Sequence, residues 1–506
     1  MEQKIIDLIN SKNILVSPDL LEKDFDFDLI KELLDVKKPD FLSEELIKDF
    51  IEEKKSNESN KGFKSKVKIL KSYDKEPKKR TFQDFVFVFN NRFKILSNML
   101  KDRQDLDSVT SISRLHTKNQ NDKTAIIGMI SDKQFTKNNN ILLTLEDTTG
   151  TCTVIIRKTD DEKELFDVAE NLVLDEVIGI YGTFINKAVF AEKIIFPDIP
   201  IGKELKKQKD EEYMVILGDT HFGSNHFMEE DFKRFLKWIN QDLGNTDQKA
   251  IAAKVKYLVL TGDIVEGVGI YPNQENDLEI KDIVKQYEDA ASWLSKIPSN
   301  IDIILQSGNH DAGRLSEPQE APFKDMAKAL WDMPNTTLIS NPGYVRIGET
   351  DSFPGFDLLL YHGGSLIYYA DNIPKIRAAG GQKKSDQIMK YLLQKRHLAP
   401  THKSTLYLPD PQEDFLLIDI IPDFFITGHI HRSSVSSYRN VTVINASCWT
   451  ETTEDQIKRG LEPLPARIPV INLKNRDVKL INFLSKKSKQ KEKDVTKEVE
   501  ELKKLS

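Results

Sequence analysis

Five short apolar stretches in the second half of this 506-residue chain each run directly into an Asp, Asn or His that stands beside a glycine. Met214–Leu217 leads into Gly218, Asp219, Thr220 and His221, and Tyr257–Leu260 into Gly262 and Asp263. Ile301–Leu305 leads into Gly308, Asn309, His310 and Asp311, Leu358–Tyr361 into His362 and a glycine pair, and Phe424–Thr427 into Gly428, His429 and His431. Each stretch has the length and the unbroken apolar texture of a buried strand. The pattern therefore predicts a sheet-based domain whose polar groups collect at the carboxyl ends of its strands, where such sheets place their chemistry. Asp219 and His221 alternate, so an extended segment would point both the same way. The glycines would leave backbone room for a metal ion or a phosphate to come close.

Taken singly these motifs decide little, because a lone Gly-Asp is ordinarily a turn and a lone strand histidine ordinarily packs as a structural residue. Five in succession, each delivering a ligand-type side chain at an equivalent place, point to one shared site. Imidazoles, carboxylates and an amide oxygen suit borderline divalent ions such as manganese, iron or zinc, and the missing thiolates argue against a closed structural zinc site. The two cysteines, Cys152 and Cys448, lie far apart in sequence, which excludes a disulfide framework and favours a reducing, cytoplasmic setting.

The remaining sequence predicts a multi-domain α+β protein. Residues 1–54 read as a small helical module, with Ile5, Ile6, Leu8, Ile9 and then Leu29, Ile30, Leu33 and Leu34 at helical spacing. Residues 55–80 are rich in lysine and poor in apolar anchors, which predicts a flexible linker. A connecting helix follows over 81–105, with Phe82, Phe85, Val86, Phe89, Phe93, Leu96 and Leu100 on a strongly apolar face. Between 106 and 200, five β-rich runs (124–130, 140–146, 152–157, 176–184 and 189–195) with a helix near 162–169 predict an oligonucleotide-binding (OB) type barrel. It lacks a dense row of aromatics with basic neighbours, so single-strand stacking on it is not written in the sequence. The five motifs fall in a domain over 213–484, and 485–506 is a charged tail. The chain opens MEQKIIDLIN, without the basic start and apolar core of an export signal, and no apolar run is long enough to span a membrane. A net charge of −7 excludes a uniformly basic nucleic-acid glove but leaves local patches open. A basic segment between the fourth and fifth motifs, with Lys375, Arg377, Lys383, Lys384, Lys390, Lys395, Arg396 and Lys403, is the best placed to grip a phosphate backbone or meet a partner subunit.

The order D-x-H, G-D, G-N-H-D, a lone His and G-H-x-H between 219 and 431 resembles the calcineurin-like metallophosphoesterase superfamily. The stretches TGDIVEGVGIYPNQ (261–274) and LLQKRHLAP (392–400), with the N-terminal helices and barrel, resemble within it the small-subunit family of archaeal family-D DNA polymerases. The resemblance implies a phosphoesterase β-sandwich flanked by helices. It also implies one ion on Asp219, His221, Asp263 and His431 and a second on Asp263, Asn309, His362 and His429, Asp263 bridging the two. His310 would stabilise the transition state or protonate the leaving 3′-oxygen, with Asp311 orienting it. The implied activity is metal-dependent, most simply with Mn2+ and alternatively Fe2+ or Zn2+: 3′-to-5′ exonucleolytic proofreading of single-stranded 3′ DNA ends. The implied partners are a large catalytic polymerase subunit, DNA and a sliding clamp. Two other readings are a non-catalytic scaffold subunit and a phosphoprotein phosphatase. The full ligand set argues against the first, and the absence of an arginine after Glu266 argues against the second.

Overall fold

The computed structural model describes residues 3–47 with short gaps, 67–75, 78–410, 412–452, 456 and 462–491. The expected linker over 55–66 and most of the expected tail, 492–506, lie outside the described residues. The chain divides into two units after residue 65. In the first, helices Gln3–Ser11 and Phe27–Lys37 enclose a small core of Ile5, Ile9, Leu20, Ile30, Leu33, Leu34, Leu42 and Ile47. Two very short strands, β1 (Leu15–Val16) and β2 (Phe41–Leu42), pair in parallel beside it.

The second unit begins with a departure from the sequence reading. Lys68–Ser72, inside the stretch expected as a linker, forms strand β3. It pairs antiparallel at the edge of a sheet, with Val345 opposite Ile69. Its lysines are compatible with that place because an edge strand keeps one side free for charge; Lys71 reaches Asp419 at 3.1 Å and Glu413 at 3.4 Å. Helix Phe82–Lys101 follows, and Leu96 and Leu100 of its apolar face pack on Leu106, Ala125, Ile127, Met129, Val177 and Ile195. The last five of these belong to a closed barrel of β4 (Lys123–Phe135), β5 (Ile141–Asp147), β6 (Gly150–Ile156), β7 (Val177–Ile185) and β8 (Ala188–Ile195). Around the barrel the order is β4-β5-β6-β8-β7, with helix Lys163–Glu170 between β6 and β7. Alternate residues of its strands, among them Leu143, Leu145, Val154, Ile178, Ile180 and Val189, fill the interior.

The rest of the unit is a pair of six-stranded sheets. The first contains β9 (Tyr213–Leu217), β10 (Val255–Thr261), β11 (Asp302–Gln306) and β12 (Thr336–Ile339), the second β13 (Gly343–Ile347), β14 (Phe356–Tyr361), β15 (Phe424–Thr427), β16 (Ser434–Tyr438) and β17 (Val441–Asn445). β18 (Arg467–Asn472) and β19 (Val478–Asn482) extend the first, giving the order β12-β11-β10-β9-β18-β19, while the second runs β16-β17-β15-β14-β13-β3. β9 to β12 are mutually parallel, as are β14, β15 and β17.

Side chains alternate across each strand, so both faces need apolar residues. Val215, Leu217, Leu258 and Leu260 turn toward helices Glu229–Ile239 and Ile283–Leu294, while Met214, Ile216, Tyr257 and Val259 fill the space between the sheets. On the other sheet Leu359, Tyr361 and Phe425 face helices Leu366–Asn372 and Ser385–Lys395, and Leu358, Leu360, Phe424 and Ile426 complete the inter-sheet layer. This is why the motif strands are apolar throughout. Among the described residues no helix is long and apolar enough to cross a membrane.

Candidate metal centre

β9, β10 and β11 run parallel in one sheet and β14 and β15 parallel in the other, so the five motifs emerge together at one edge of the sandwich. The loops do not leave the strands as extended segments. Asp219, His221, Asp263, His429 and His431 have φ between 43° and 67°, the left-handed region that costs a residue with a Cβ about 1–3 kcal/mol unless its surroundings impose it. Here neighbouring loops impose it: the Asp219 N–H donates to the Gly262 carbonyl at 3.3 Å and the His221 N–H to the Asp263 carbonyl at 3.0 Å. Asp219 and His221 thus share a site because their loop curls, not because they alternate along a strand.

All seven expected ligand residues are brought together. Asp219, His221 and His431 form one cluster and Asp263, His362 and His429 another, the candidate donor atoms within 4.8 Å of one another in each. The His221 and His431 Nε2 atoms are 3.3 Å apart. Asn309 Oδ1 lies 2.9 Å from His362 Nε2. Between the clusters stands Asp263: its Oδ2 is 3.3 Å from His362 Nε2 and 3.7 Å from His221 Nε2, while its Oδ1 accepts the His310 N–H at 2.9 Å. Ring orientation is set from behind. His362 Nδ1 is 2.8 Å from the Thr261 carbonyl, which points Nε2 toward the centre, and His221 Nδ1 lies 3.0 Å from Glu266 Oε2.

The glycines serve a different purpose from the one expected. A Cβ on Gly308 would stand 2.3 Å from Asp263 N and Oδ1, and one on Gly262 would stand 2.5 Å from His362 Nδ1. The space they leave belongs to the neighbouring motif, because five chain segments crowd into one edge.

Charge in this buried cluster is balanced internally. Burial pushes the Asp219 carboxyl up to about 7. Asp263 is held well below the usual carboxylate range; burial opposes this, but the His362, His310 and His221 imidazoles outweigh it. In return, and again against burial, Asp263 and Asp219 lift His362 to about 10, and Glu266 with both aspartates lifts His221 to about 9. Burial next to those rings depresses His429 to about 3 and holds His431 well below its ordinary value. A site whose carboxylates recruit protonated imidazoles is one that a divalent cation would satisfy instead, with release of those protons.

His310 sits beside the cluster, its ring 4.7 Å from that of His221. Asp311 does not orient it. Asp311 is turned inward, accepting from Gly308 N at 2.8 Å, Ile264 N at 3.2 Å and Tyr287 Oη at 3.2 Å, and so ties the second and third loops together. The orienting contact is the Glu266 carbonyl, 2.8 Å from His310 Nδ1. Glu266 therefore holds two histidines, one with its side chain and one with its main chain. The sequence signal was a carboxylate three residues after Asp263, but nothing in that spacing shows that the loop folds back over both rings.

Half of the basic segment's charges are engaged elsewhere. Lys395 is buried against Glu176 at 2.8 Å, and Arg396 is buried with its guanidinium on the Ile418 and Asp419 carbonyls. Lys390 pairs with Asp386 and Lys383 with Glu462. Charge counted along the sequence overstated what this segment offers to DNA.

Comparison with known proteins agrees with this geometry. The calcineurin-like phosphoesterase family matches residues 214–433, a span that holds all seven cluster residues. A protein of Methanothermobacter thermautotrophicus named DNA polymerase II small subunit is 38% identical over 389 residues, 77% of each chain. The chain belongs to the DNA polymerase II small-subunit family. Family members of the same name from Archaeoglobus fulgidus (37% identical; 77% of this chain, 75% of that one) and Methanocaldococcus jannaschii (35%; 78% and 64%) align similarly. In this chain the small subunit thus includes a metallophosphoesterase domain over residues 214–433.

Proposed function

We propose that this chain is the proofreading 3′-to-5′ exonuclease of a two-subunit replicative DNA polymerase, hydrolysing phosphodiester bonds with two divalent ions. The observation that carries the reading is the position of Asp263 Oδ2 between two clusters drawn from both sheets, where one carboxylate can be shared by two cations and offset their repulsion. Asp219, His221, Asp263 and His431 would hold one ion, and Asp263, Asn309, His362 and His429 the other. The donor set favours Mn2+, with Fe2+ or Zn2+ as alternatives. When bound, such ions supply an activated water and neutralise charge on the phosphodiester. His310, its Nδ1 on the Glu266 carbonyl, presents Nε2 for stabilising the transition state or protonating the leaving 3′-oxygen.

A diester rather than a monoester is favoured at position 267. A Cβ there would lie 2.2 Å from the His310 carbonyl, which excludes a cationic side chain of the kind that grips a terminal phosphate. Relatives named as small subunits support a large partner subunit; we place polymerisation in that partner, and the action of this chain in the cytoplasm on single-stranded 3′ ends. The barrel's strand order, with a helix between its third and fourth strands, supports the OB reading. We take 106–200 and 213–484 as its two principal domains, with 1–54, 81–105 and 485–506 as accessory segments.

The test is manganese-dependent release of nucleotides from 3′-labelled single-stranded and mismatched DNA. Asp263→Ala is expected to lower release by more than about a hundredfold, since even outer-shell partners of a metal contribute about 10–100-fold. No release, or release that this substitution leaves intact, overturns the proposal.

A further inference from the structure

The loop after β10 presents apolar side chains to solvent although buried side chains brace it from beneath. Val268 is 47% exposed and Tyr271 37% exposed. Beneath them two fully buried glutamines hold the loop. Gln286 accepts the Gly267 N–H at 2.8 Å and donates to the Gly267 and Ile280 carbonyls at 3.1 and 2.7 Å. Gln274 accepts the Ile270 N–H at 2.9 Å and donates to the Glu266 carbonyl at 3.0 Å. The Tyr271 hydroxyl is held between Glu266 Oε1 at 3.1 Å and Asp277 Oδ2 at 3.0 Å, which anchors the far end of its ring. That ring lies with its centroid 6.2 Å from the His310 ring, at the lip of the metal centre. Four buried or anchored polar groups are thus committed to holding one exposed aromatic in one pose.

We propose that Tyr271 is a nucleobase-stacking subsite that seats a base flanking the scissile phosphate. The inference rests on the nuclease reading for what occupies the neighbouring centre. The ligand is a base rather than a phosphate, because the hydroxyl edge of the ring stands between two carboxylates that repel an anion. Stacking on a pre-oriented ring loses little ordering entropy and accepts any base, since each has a π face. It requires that base to be unstacked from its neighbours, so the subsite selects frayed or single-stranded ends over a paired terminus.

Two substitutions separate the ring from its hydroxyl. Tyr271→Phe keeps the ring and Tyr271→Leu removes it. On the full chain reconstituted with Mn2+ and given single-stranded DNA, Tyr271→Leu is expected to raise KM about tenfold with kcat changed less than about threefold, and Tyr271→Phe to stay close to the parent, from the magnitude of aromatic–base stacking. A second readout needs no hydrolysis. DNA with 2-aminopurine as the base next to its 3′ terminal linkage is titrated in Ca2+, where quenching by the parent and by Tyr271→Phe, lost in Tyr271→Leu, marks stacking. Equal loss in both variants makes the hydroxyl's contacts with Glu266 and Asp277 the functional element and overturns the subsite. So does an unchanged KM in Tyr271→Leu, including the case where that variant instead binds the large subunit less tightly, which would assign the ring to a protein partner. A parent protein that hydrolyses no DNA yet quenches 2-aminopurine through Tyr271 sinks the nuclease reading and leaves the subsite standing.

Discussion

At Gly308 a single methyl group decides whether the centre can assemble. Its Cβ would collide with the main chain and side chain of Asp263, and the contact is backbone on one side, so relaxation is limited. Gly308→Ala is expected to destabilise the fold by about 1–3 kcal/mol, the usual range for overpacking, and to reduce bound metal, measured by thermal unfolding and elemental analysis. His310 behaves differently. Its main-chain N–H holds Asp263 whatever the side chain, so His310→Ala should keep metal content and fold while hydrolysis falls about 10²–10⁴-fold, the worth of a general acid or base. Loss of metal from that variant would instead move His310 among the ligands. Glu266→Ala removes the acceptor behind His221 and is expected to weaken metal binding about 10–100-fold, read by competition with a chelating dye.

The helix Phe82–Lys101 shows how an element is fixed by one buried charge. Arg92, on the face packed inward, reaches Asp414 at 2.7 Å and the Pro400 carbonyl at 2.8 Å. His397 Nε2 is 2.9 Å from the same Asp414, and its Nδ1 accepts the Ala399 N–H at 2.9 Å, which makes the ring neutral. Arg92→Ala leaves the Asp414 charge buried with fewer partners and should cost about 3–5 kcal/mol in denaturant unfolding, whereas Arg92→Met with Asp414→Leu should cost clearly less. The same cluster sets a pH dependence. Burial and the Arg92 charge hold His397 below its ordinary value, and Arg92 and His397 hold Asp414 far below its own against the effect of burial. Both groups bind protons more readily when unfolded. Their stabilisation is complete above about pH 6.5, the ordinary imidazole value, falls first as unfolded His397 protonates, and falls further through the carboxylate range near pH 4. Unfolding free energies measured between pH 8 and 4 should follow that course, and His397→Gln should flatten its upper part.

Across the whole molecule the candidate centre joins two sheets. Asp219, His221, Asp263 and Asn309 follow strands of one sheet, while His362, His429 and His431 follow strands of the other. Cations held by both would bind the folded state alone, adding about 4 kcal/mol at a thousandfold excess over the dissociation constant. Chelation with EDTA is therefore expected to lower the unfolding midpoint by several degrees and Mn2+ to restore it, while Asp263→Ala should be insensitive to both. An unchanged midpoint in the parent protein would show that packing between the sheets needs no ion.

The apolar strands with polar ends and the five barrel runs were legible in the sequence, because each depends on local spacing: the period of a strand and the residue that follows it; which seven of the strand-end residues would be ligands came from the family resemblance. What distant segments do to one another was not legible. The left-handed backbone at Asp219 and His221 is imposed by the second loop, the glycines answer to neighbouring side chains, and Glu266 takes a role that Asp311 seemed placed to fill. Lysines that looked free along the chain are paired across it, and Lys68–Ser72 becomes a strand only because an edge is open beside Val345. Residue order determined which chemistry could be present; only the convergence of two sheets decided which atoms meet, since contact in space carries no trace in spacing along the chain.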